Sequence, residues 1–226
     1  MKFESTFRGF PQDWRFVLVS SGSDMTIPRG VLDSRYRNQR GFDQDGGFGF
    51  RALVDDPRVI HWFIENHDYD HPKISSLPTG MPPDVTNSIP SSIHPLSERP
   101  LRFLLIDRVR EGTGQWFDRW NVSEMCKNSL YCQRPFYGSQ AFDGTTHQDF
   151  VDNIVSLPFV LCVHGGGIDP SPKAFEAIFL GTIPIIKRGF IDDAYGQLPV
   201  AWVDDWSELF YNPNIGMKNS SFNLHL

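Results

Sequence analysis

The sequence predicts an α/β fold, in which short buried strands alternate with helices along the chain. Residues 159–163 (FVLCV) and 182–186 (TIPII) are apolar runs with the length and composition of buried strands. Between them, residues 172–180 have the spacing of a helix, which ends before Gly181. A strand, a helix and a second strand form a βαβ unit, and repetition of such units builds a parallel sheet.

The first half of the chain contains three further strand patterns, at residues 15–20, 58–63 and 73–77. Each is a short apolar run bounded by Gly, Pro or polar residues. Residues 29–51 are polar and Gly-rich, which predicts a loop with a helical turn. Residues 82–100 are rich in Pro and Ser, and we interpret them as a connection between two lobes.

The second half of the chain predicts more regular structure. Residues 147–156 have the spacing of a helix whose apolar side chains share one face. Asp204 or Asp205 is predicted to cap a terminal helix that begins near Trp206. The remaining predicted elements are a strand at 101–106, a helix at 115–127 and a strand at 200–203.

Two domains are predicted, an N-terminal lobe at residues 1–95 and a C-terminal lobe at residues 96–226. A chain of this length buries about 70 % of its unfolded surface, enough for one large or two small domains. Hydrophobic residues make up 40 % and charged residues 21 % of the sequence, as in ordinary globular proteins. The formal charge of −6 argues against a nucleic-acid partner, because a phosphate backbone demands a basic face.

The sequence predicts no membrane segment and no signal peptide. No apolar run approaches the length of a membrane span, and the N-terminus MKFESTFRGFPQDW lacks an apolar core. We therefore expect a cytoplasmic protein whose three cysteines are reduced. Cys162 lies in an apolar run and is expected in the core, whereas Cys126 and Cys132 are too sparse for a zinc site.

A run of three glycines, Gly165, Gly166 and Gly167, directly follows the strand predicted at 159–163. In open α/β sheets, ligands bind at the carboxyl ends of strands. Glycines let a backbone approach a phosphate closely, and a helix N-terminus offers unpaired N–H groups. A tight turn without a ligand is the alternative, but three consecutive glycines exceed what such a turn needs. The sequence therefore predicts a diphosphate site at this loop.

The short motifs around the glycines resemble, in order and spacing, those of the exostosin-like glycosyltransferases, glycosyltransferase family 47 and its neighbours. They are HGGGID (164–169), Ser171, Lys173, EAI (176–178), GTIPI (181–185), LPV (198–200) and DW (205–206). An earlier segment is similar as well, with WF (62–63), Asn66, HPK (71–73) and LPTG (77–80). The resemblance covers about half of the chain.

The resemblance implies a GT-B architecture, two Rossmann-like lobes around a cleft, of which the first is small and reduced. It also implies inverting transfer of a sugar from a UDP-sugar donor to a hydroxyl of a glycan or glycoprotein acceptor. Xylose is the preferred donor sugar, because the pocket segments offer no extra cation for a uronic acid carboxylate. No cofactor is obligatory in such enzymes, although a divalent metal is compatible with the reaction.

Several residues near the glycines are predicted to bind the nucleotide sugar. Ser171 is predicted to cap the following helix, to bind a phosphate, or to do both. Lys173 opposes the dipole of that helix, which suggests an anionic partner, and a solvated surface lysine is the alternative. The resemblance implies that Glu176 holds the ribose hydroxyls, and an ion pair with Lys173 is the alternative. The cations that follow strands at the same sheet edge are Arg108, Arg110, Lys187 and Arg188.

An inverting transfer also needs a base that takes the proton of the acceptor hydroxyl from the opposite side of the cleft. Asp24, just past the strand at 15–20, is the first choice, and an Asx-turn is the alternative role. Glu65 and His67, which follow the second predicted strand, are the next choices. His164, beside the glycines, is a catalytic candidate that stabilises the phosphate or contacts the sugar.

Other interpretations of the motifs remain. Asp68-Tyr69-Asp70 fits the D-x-D of metal-dependent GT-A enzymes, but the motif is short. We interpret it, with the doublets at 192–193 and 204–205, as surface or capping carboxylates, so no metal site is predicted. A non-catalytic nucleotide- or glycan-binding module is the second functional class. An NAD-dependent oxidoreductase is disfavoured, because HGGGID does not match G-x-G-x-x-G.

Overall fold

The structure of the chain, a computed structural model, describes residues 6–28, 50–83, 85, 89–109, 116–135 and 146–211. These residues form helices and two parallel β-sheets, so the predicted α/β class is confirmed. The strands of the first sheet all precede the predicted connection at 82–100, and those of the second all follow it. The domain boundary itself stays a prediction.

The first sheet contains three parallel strands in the order β1 (Phe16–Ser20), β2 (Val59–Ile64) and β3 (Ile74–Ser76). Helix α1 (Phe50–Asp55) leads into β2 and packs against it. One face of the sheet is buried in a small core, whereas side chains on the other face, such as Val19, are exposed. The core consists of Phe7, Leu53, Val54, Val59, Trp62 and Ile64.

The second sheet contains five strands in the spatial order β5-β4-β6-β7-β8, and every neighbouring pair is parallel. Because β5 and β6 lie on opposite sides of β4, the direction of winding reverses between β4 and β6. In doubly wound sheets such a reversal opens a crevice at the carboxyl ends of the two strands. The strands are β4 (Phe103–Leu104), β5 (Cys132–Gln133), β6 (Phe159–Leu161), β7 (Ile183–Lys187) and β8 (Ala201–Val203).

Helices lie between the strands of the second sheet, and a last helix follows β8. Helix α3 begins with a capping box, in which Thr146 and Asp149 each accept a hydrogen bond from the other's backbone N–H. No helix within the described residues is long and apolar enough to cross a membrane. The helices are α2 (Trp116–Lys127), α3 (His147–Ser156), α4 (Lys173–Phe179), α5 (Asp192–Tyr195) and α6 (Ser207–Tyr211).

Apolar clusters cover both faces of the second sheet. Val160 and Leu161 are consecutive residues of β6, and their side chains belong to different clusters because strand residues alternate between faces. The cluster around Val160 includes Ile154 of α3, and the cluster around Leu161 includes Val122 of α2. Burial on both faces explains why β6 and β7 are uninterrupted apolar runs in the sequence.

The βαβ unit predicted around the glycines is confirmed as β6, α4 and β7. The helix predicted at 147–156 is confirmed with the same bounds. Strand β4 is shorter than the strand predicted at 101–106, and β5 was not predicted, because two residues carry too little pattern. Asp205 is the residue that caps α6, since its Oδ1 accepts a hydrogen bond from the N–H of Ser207 at 2.9 Å.

A disulfide joins Cys126, near the end of α2, to Cys132 in β5, with the two Cα atoms 5.2 Å apart. The prediction of reduced thiols is therefore wrong for this pair, whose residues are close because β5 follows α2 directly. Cys162 is a free, buried thiol, as predicted. Disulfides are typical of oxidising compartments, so the cysteines give no support to the expected cytoplasmic location.

Candidate functional site

The loops that follow β4 and β6 border the crevice of the second sheet. Asp107 and Arg108 follow β4, and His164 and the three glycines follow β6. Loops that follow β1, β2 and β3 of the first sheet contact the β6 loop. We call this contact, between the three first-sheet loops and residues 164–171, the junction. It brings the carboxyl ends of the two sheets together.

Two of the glycines are needed because first-sheet side chains pack against them. A Cβ atom added at Gly166 would collide with the carboxylate of Asp24. One added at Gly167 would collide with the side-chain amide of Asn66. Neither glycine has a positive φ, so the absence of a side chain, rather than an unusual backbone conformation, is what the junction uses.

Asn66 is the centre of the junction. Its Oδ1 accepts hydrogen bonds from the N–H groups of Ile168 and Asp169, at 2.8 and 2.9 Å. Its Nδ2 donates to the carbonyl of Ser23 at 3.0 Å. The side chain is 3 % exposed, so these bonds are shielded from water. Asn66 thereby connects the loops after β1, β2 and β6.

Two of the predicted base candidates lie at the junction. Asp24 is exposed to solvent and lies against Gly166. Glu65 is half-buried, and its two oxygens accept hydrogen bonds from Gly22 N at 2.6 Å and Thr79 Oγ1 at 2.9 Å. The third candidate of the first sheet, His67, is 4 % exposed and contacts Ser76 instead.

Arg119 of α2 connects the loops that follow β4 and β6. Its Nε donates to the carbonyl of His164 and its Nη1 to the carbonyl of Arg108, both at 2.6 Å. Arg119 was not predicted from the sequence, because the place of its helix beside the β6 loop depends on the strand order. Arg119 lies in the first turn of the helix that follows β4, the strand beside which the winding of the sheet reverses. A cation at this position could have been singled out from the sequence.

His164 lies between charged groups on the same side of the crevice. Its Nδ1 is 3.7 Å from an oxygen of Asp118, whose other oxygen is 3.5 Å from Nζ of Lys187. Burial lowers the pKa of His164 to about 4; Asp118 opposes this shift, and Lys187 and Arg119 add to it. At neutral pH the imidazole is therefore uncharged and offers one donor and one acceptor nitrogen.

Lys173 and Glu176 lie on the inner side of α4, and each is 6 % exposed. Nζ of Lys173 donates to the carbonyl of Ile106 at 2.7 Å. Burial lowers the pKa of Lys173, and the charges of Asp107 and Glu176 act against that shift. The interpretation of Lys173 as a solvated surface lysine is therefore wrong, and it has anionic neighbours. A ribose reaches Glu176 only if the surrounding side chains open.

Asp107 is a second residue that sequence reasoning missed. It is 8 % exposed, and neither carboxylate oxygen accepts a hydrogen bond from any residue that the structure describes. Burial raises its pKa, and the nearby charges of Lys173, Arg119 and Arg134 oppose that shift. It is the polar residue that follows the apolar run after β4, a position at which sequence alone could have drawn attention to it.

Ser171 does not cap α4, so this part of its prediction is wrong. The residue before the helix is Pro172, and no side-chain cap is present. Ser171 has a φ of 75°, and its N–H donates to Oδ1 of Asp169 at 2.8 Å. Its alternative role at a phosphate stays a prediction.

The predicted arginines are not gathered at one point. Arg188 is exposed and lies toward β8, where it is 3.5 Å from carboxylate oxygens of Asp192 and Asp204. Arg108 is exposed beside the crevice. Arg110 lies outside the described residues. Lys187 shares the carboxylate of Asp118 with His164.

The carboxylates of the D-x-D motif differ in their surroundings. Asp68 is fully buried, so its interpretation as a surface residue is wrong, whereas Asp70 is exposed. In the described part of the chain, no three His, Cys, Asp or Glu side chains are grouped so that they could hold a metal ion. Asp192 is the first residue of α5 and accepts a hydrogen bond from the N–H of Gly189 at 2.8 Å, but no side chain caps this helix, so its predicted capping role is not confirmed.

Comparison with known proteins adds no assignment to this geometry. No protein-family model matches the sequence, and no curated protein is significantly similar to it.

Proposed function

We propose that the protein is an inverting glycosyltransferase that moves a sugar from a UDP-sugar to a hydroxyl of a glycan or glycoprotein acceptor. The observation that carries the proposal is that ionisable side chains from both sheets gather around the β6 loop. Two carboxylates of the first sheet, Asp24 and Glu65, lie at the junction. Arg119 of α2 and Lys187 of β7 lie near His164, together with Asp118, which is 3.5 Å from Lys187. Motif order around the glycines supports the same class of enzyme.

The cations Arg119 and Lys187 suit the leaving diphosphate. As the bond to the sugar breaks, negative charge grows on the phosphate oxygens, and fixed positive charges lower the energy of that state. Arg119 is held by two backbone carbonyls, so its guanidinium is already oriented. Neutral His164 contributes a hydrogen bond there. The site does not require a metal for this purpose, although a divalent cation bound to the donor is compatible with it.

The carboxylates of the first sheet suit the base. A base must face the acceptor, away from the diphosphate, so that it takes the hydroxyl proton as the oxygen attacks the anomeric carbon. Asp24 is exposed to solvent beside the β6 loop, where an acceptor hydroxyl can reach it, whereas Glu65 is half-buried. We therefore assign the base to Asp24, with Glu65 as the residue that orders the surrounding loops.

A GT-B architecture accommodates these roles. In it, the second sheet binds the donor and the smaller first sheet binds the acceptor, and the junction lies between them. Xylose is the preferred donor sugar in this proposal. The exostosin-like family is the class whose motif order agrees best with residues 164–206.

A specific observation favours a second candidate, a non-catalytic nucleotide- or glycan-binding module. Asn66 already occupies the N–H groups of Ile168 and Asp169, which a diphosphate would otherwise use. The carboxylate of Asp24 lies where a phosphate would approach Gly166, and like charges repel. In that case the glycines would serve the contact between the two sheets alone.

The two candidates are separated by measuring donor binding and turnover on the same protein. We expect UDP-xylose or a related UDP-sugar to bind and to be transferred or slowly hydrolysed. Asp24→Asn should leave UDP affinity unchanged and lower turnover by roughly 10²–10⁴-fold, the usual contribution of a general base. Asp13→Asn, an exposed aspartate of the same lobe, is the matched control.

Binding of UDP without turnover across donors and acceptors would support the non-catalytic module. Full activity of Asp24→Asn would remove Asp24 as the base. If no UDP-sugar binds, the protein is neither a UDP-sugar-dependent glycosyltransferase nor a nucleotide-binding module.

A further inference from the structure

A cavity of about 510 Å³ lies between the two sheets, and it is separate from the crevice between β4 and β6. It falls in the range of small-molecule sites, roughly 300–1,000 Å³. Residues from the β2–β3 connection and the start of β3 form one wall, and residues from the loop after β7 and the start of α5 form the other. The lining side chains used below are His67, Asp70, His71, Phe190, Asp192 and Asp193.

Hydrogen bonds between the two walls hold the cavity in shape. The carboxylate of Asp193 accepts hydrogen bonds from Ser76 N, at 3.0 Å, and from Ser76 Oγ. Nε2 of His67 is 2.8 Å from the same hydroxyl, and the His67 ring meets the ring of Phe190 edge-on. These residues come from both sheets, so the cavity is formed before any ligand arrives.

Acceptor oxygens dominate the lining. Asp192 and Asp193 are bound to backbone N–H groups, but a carboxylate has about four lone-pair sites and keeps capacity for further donors. Asp70 is exposed at the cavity and forms no hydrogen bond or ion pair with any described residue. None of the described lining residues is a lysine or an arginine, although Arg188 outside the lining is 3.5 Å from Asp192. Because three aspartates face this one neighbouring cation, the cavity favours a ligand that supplies hydroxyl donors over one that carries an anionic group.

We propose that this cavity binds a neutral saccharide, a sugar chain without carboxylate, phosphate or sulfate groups. Its hydroxyls donate to the aspartates, and its apolar ring face packs beside Phe190 and Ile74. That this saccharide is the acceptor of the transfer rests on the proposed function. His67 lines the cavity, and the base candidate Glu65 comes two residues before His67 in the chain. An acceptor held in the cavity would therefore extend toward the junction.

The test is an NMR titration of the whole protein with cellobiose, xylobiose and digalacturonic acid. We expect the neutral disaccharides to shift the amide signals of Gly189, Phe190 and His71, and digalacturonic acid to leave them unchanged. Asp70→Ala should weaken neutral disaccharide binding about tenfold, the equivalent of one hydrogen bond to a charged acceptor. Asp70→Lys should permit digalacturonic acid to bind. Asp13→Ala and Asp13→Lys are the matched controls.

The inference is overturned if no neutral disaccharide shifts these signals at millimolar concentration, or if digalacturonic acid binds the unmodified protein equally well. It is also overturned if the Asp13 variants change binding as much as the Asp70 variants. UDP is titrated into the same samples and followed at residues 164–167. Disaccharide binding without UDP binding would leave the cavity assignment standing and remove the glycosyltransferase. UDP binding without disaccharide binding would remove the cavity assignment and leave the proposed glycosyltransferase standing.

Discussion

Asn66 and Ser171 have positive φ values, 62° and 75°, and within the described ranges they are the non-glycine residues with this backbone conformation. Both lie at the junction. Asn tolerates the left-handed region because its short polar side chain bonds locally, but Ser gains less from it. Strained conformations of this kind persist where the surrounding structure holds them, and they concentrate at functional sites. Their shared location supports the junction as a place of function.

Asn66→Asp tests how much the junction depends on one donor. The aspartate keeps the acceptor for Ile168 and Asp169 but loses the hydrogen bond to Ser23 O and places a negative oxygen beside that carbonyl. We expect the free energy of unfolding to fall by about 1–3 kcal/mol, measured by urea denaturation. Asn128→Asp loses one comparable donation, to Glu124 O on an exposed surface, and should change little. Equal effects of the two variants would contradict the prediction.

His164 predicts a pH dependence of stability. Below its unfolded pKa, about 6.5, the unfolded chain takes up a proton that the folded chain accepts only near pH 4. The stabilisation should therefore be fully present above pH 6.5 and be lost as the pH falls from 6.5 toward 4, by on the order of 3 kcal/mol. Urea denaturation at several pH values should show a shallower decline in His164→Gln. His94→Gln, at an exposed histidine, should keep the full decline.

The β6 loop illustrates what sequence reasoning can predict at the scale of one element. Three glycines between a strand and a helix were enough to predict the loop and its place at the sheet edge. The side chains that pack against them were not predictable, because Asn66 and Ile168 are 102 residues apart and no local pattern links them. The same limit applies to Lys173, whose burial depends on the carbonyl of Ile106 in another loop.

Gly167→Ala should destabilise the protein more than Gly166→Ala. Asn66 is buried and held by three hydrogen bonds, so it cannot move away from a new methyl group, whereas exposed Asp24 can rotate. We expect a loss of about 1–3 kcal/mol for Gly167→Ala, measured by thermal or urea unfolding. Gly189→Ala, where a Cβ meets nothing within 4 Å, is the control. If the methyl group acts through Asn66, the cost should shrink in an Asn66→Gly background.

The disulfide between α2 and β5 should stabilise the folded protein. Closing the short loop from Cys126 to Cys132 removes conformational freedom from the unfolded chain, a stabilisation of about 2 kcal/mol. Replacing both cysteines with serine should therefore lower the melting temperature. A reductant should lower the melting temperature of the unmodified protein and leave the double variant unaffected. Detection of two free thiols at these positions in the oxidised, folded protein would contradict the assignment.

For the whole molecule, alternation of strand and helix patterns was sufficient to predict parallel sheets, because buried parallel strands are apolar on both faces. The order of the strands was not predictable. Strand β5 has only two residues and therefore almost no recognisable sequence pattern, yet its place beside β4 determines where the winding of the sheet reverses. Arg119 became a site residue only once that point was known. The way the two sheets face one another rests on Asn66, Thr79 and Ser76, whose partners are distant in sequence.

The junction that Asn66 organises consists largely of hydrogen bonds, and this has a thermodynamic consequence. Separation of the two sheets would expose little hydrocarbon, so it would add little to the heat capacity of unfolding or to the denaturant slope. It would, however, release the amide protons of Ile168 and Asp169 to solvent. Hydrogen–deuterium exchange at these two amides should therefore be faster than in β7, and the difference in exchange free energy would measure how readily the molecule opens.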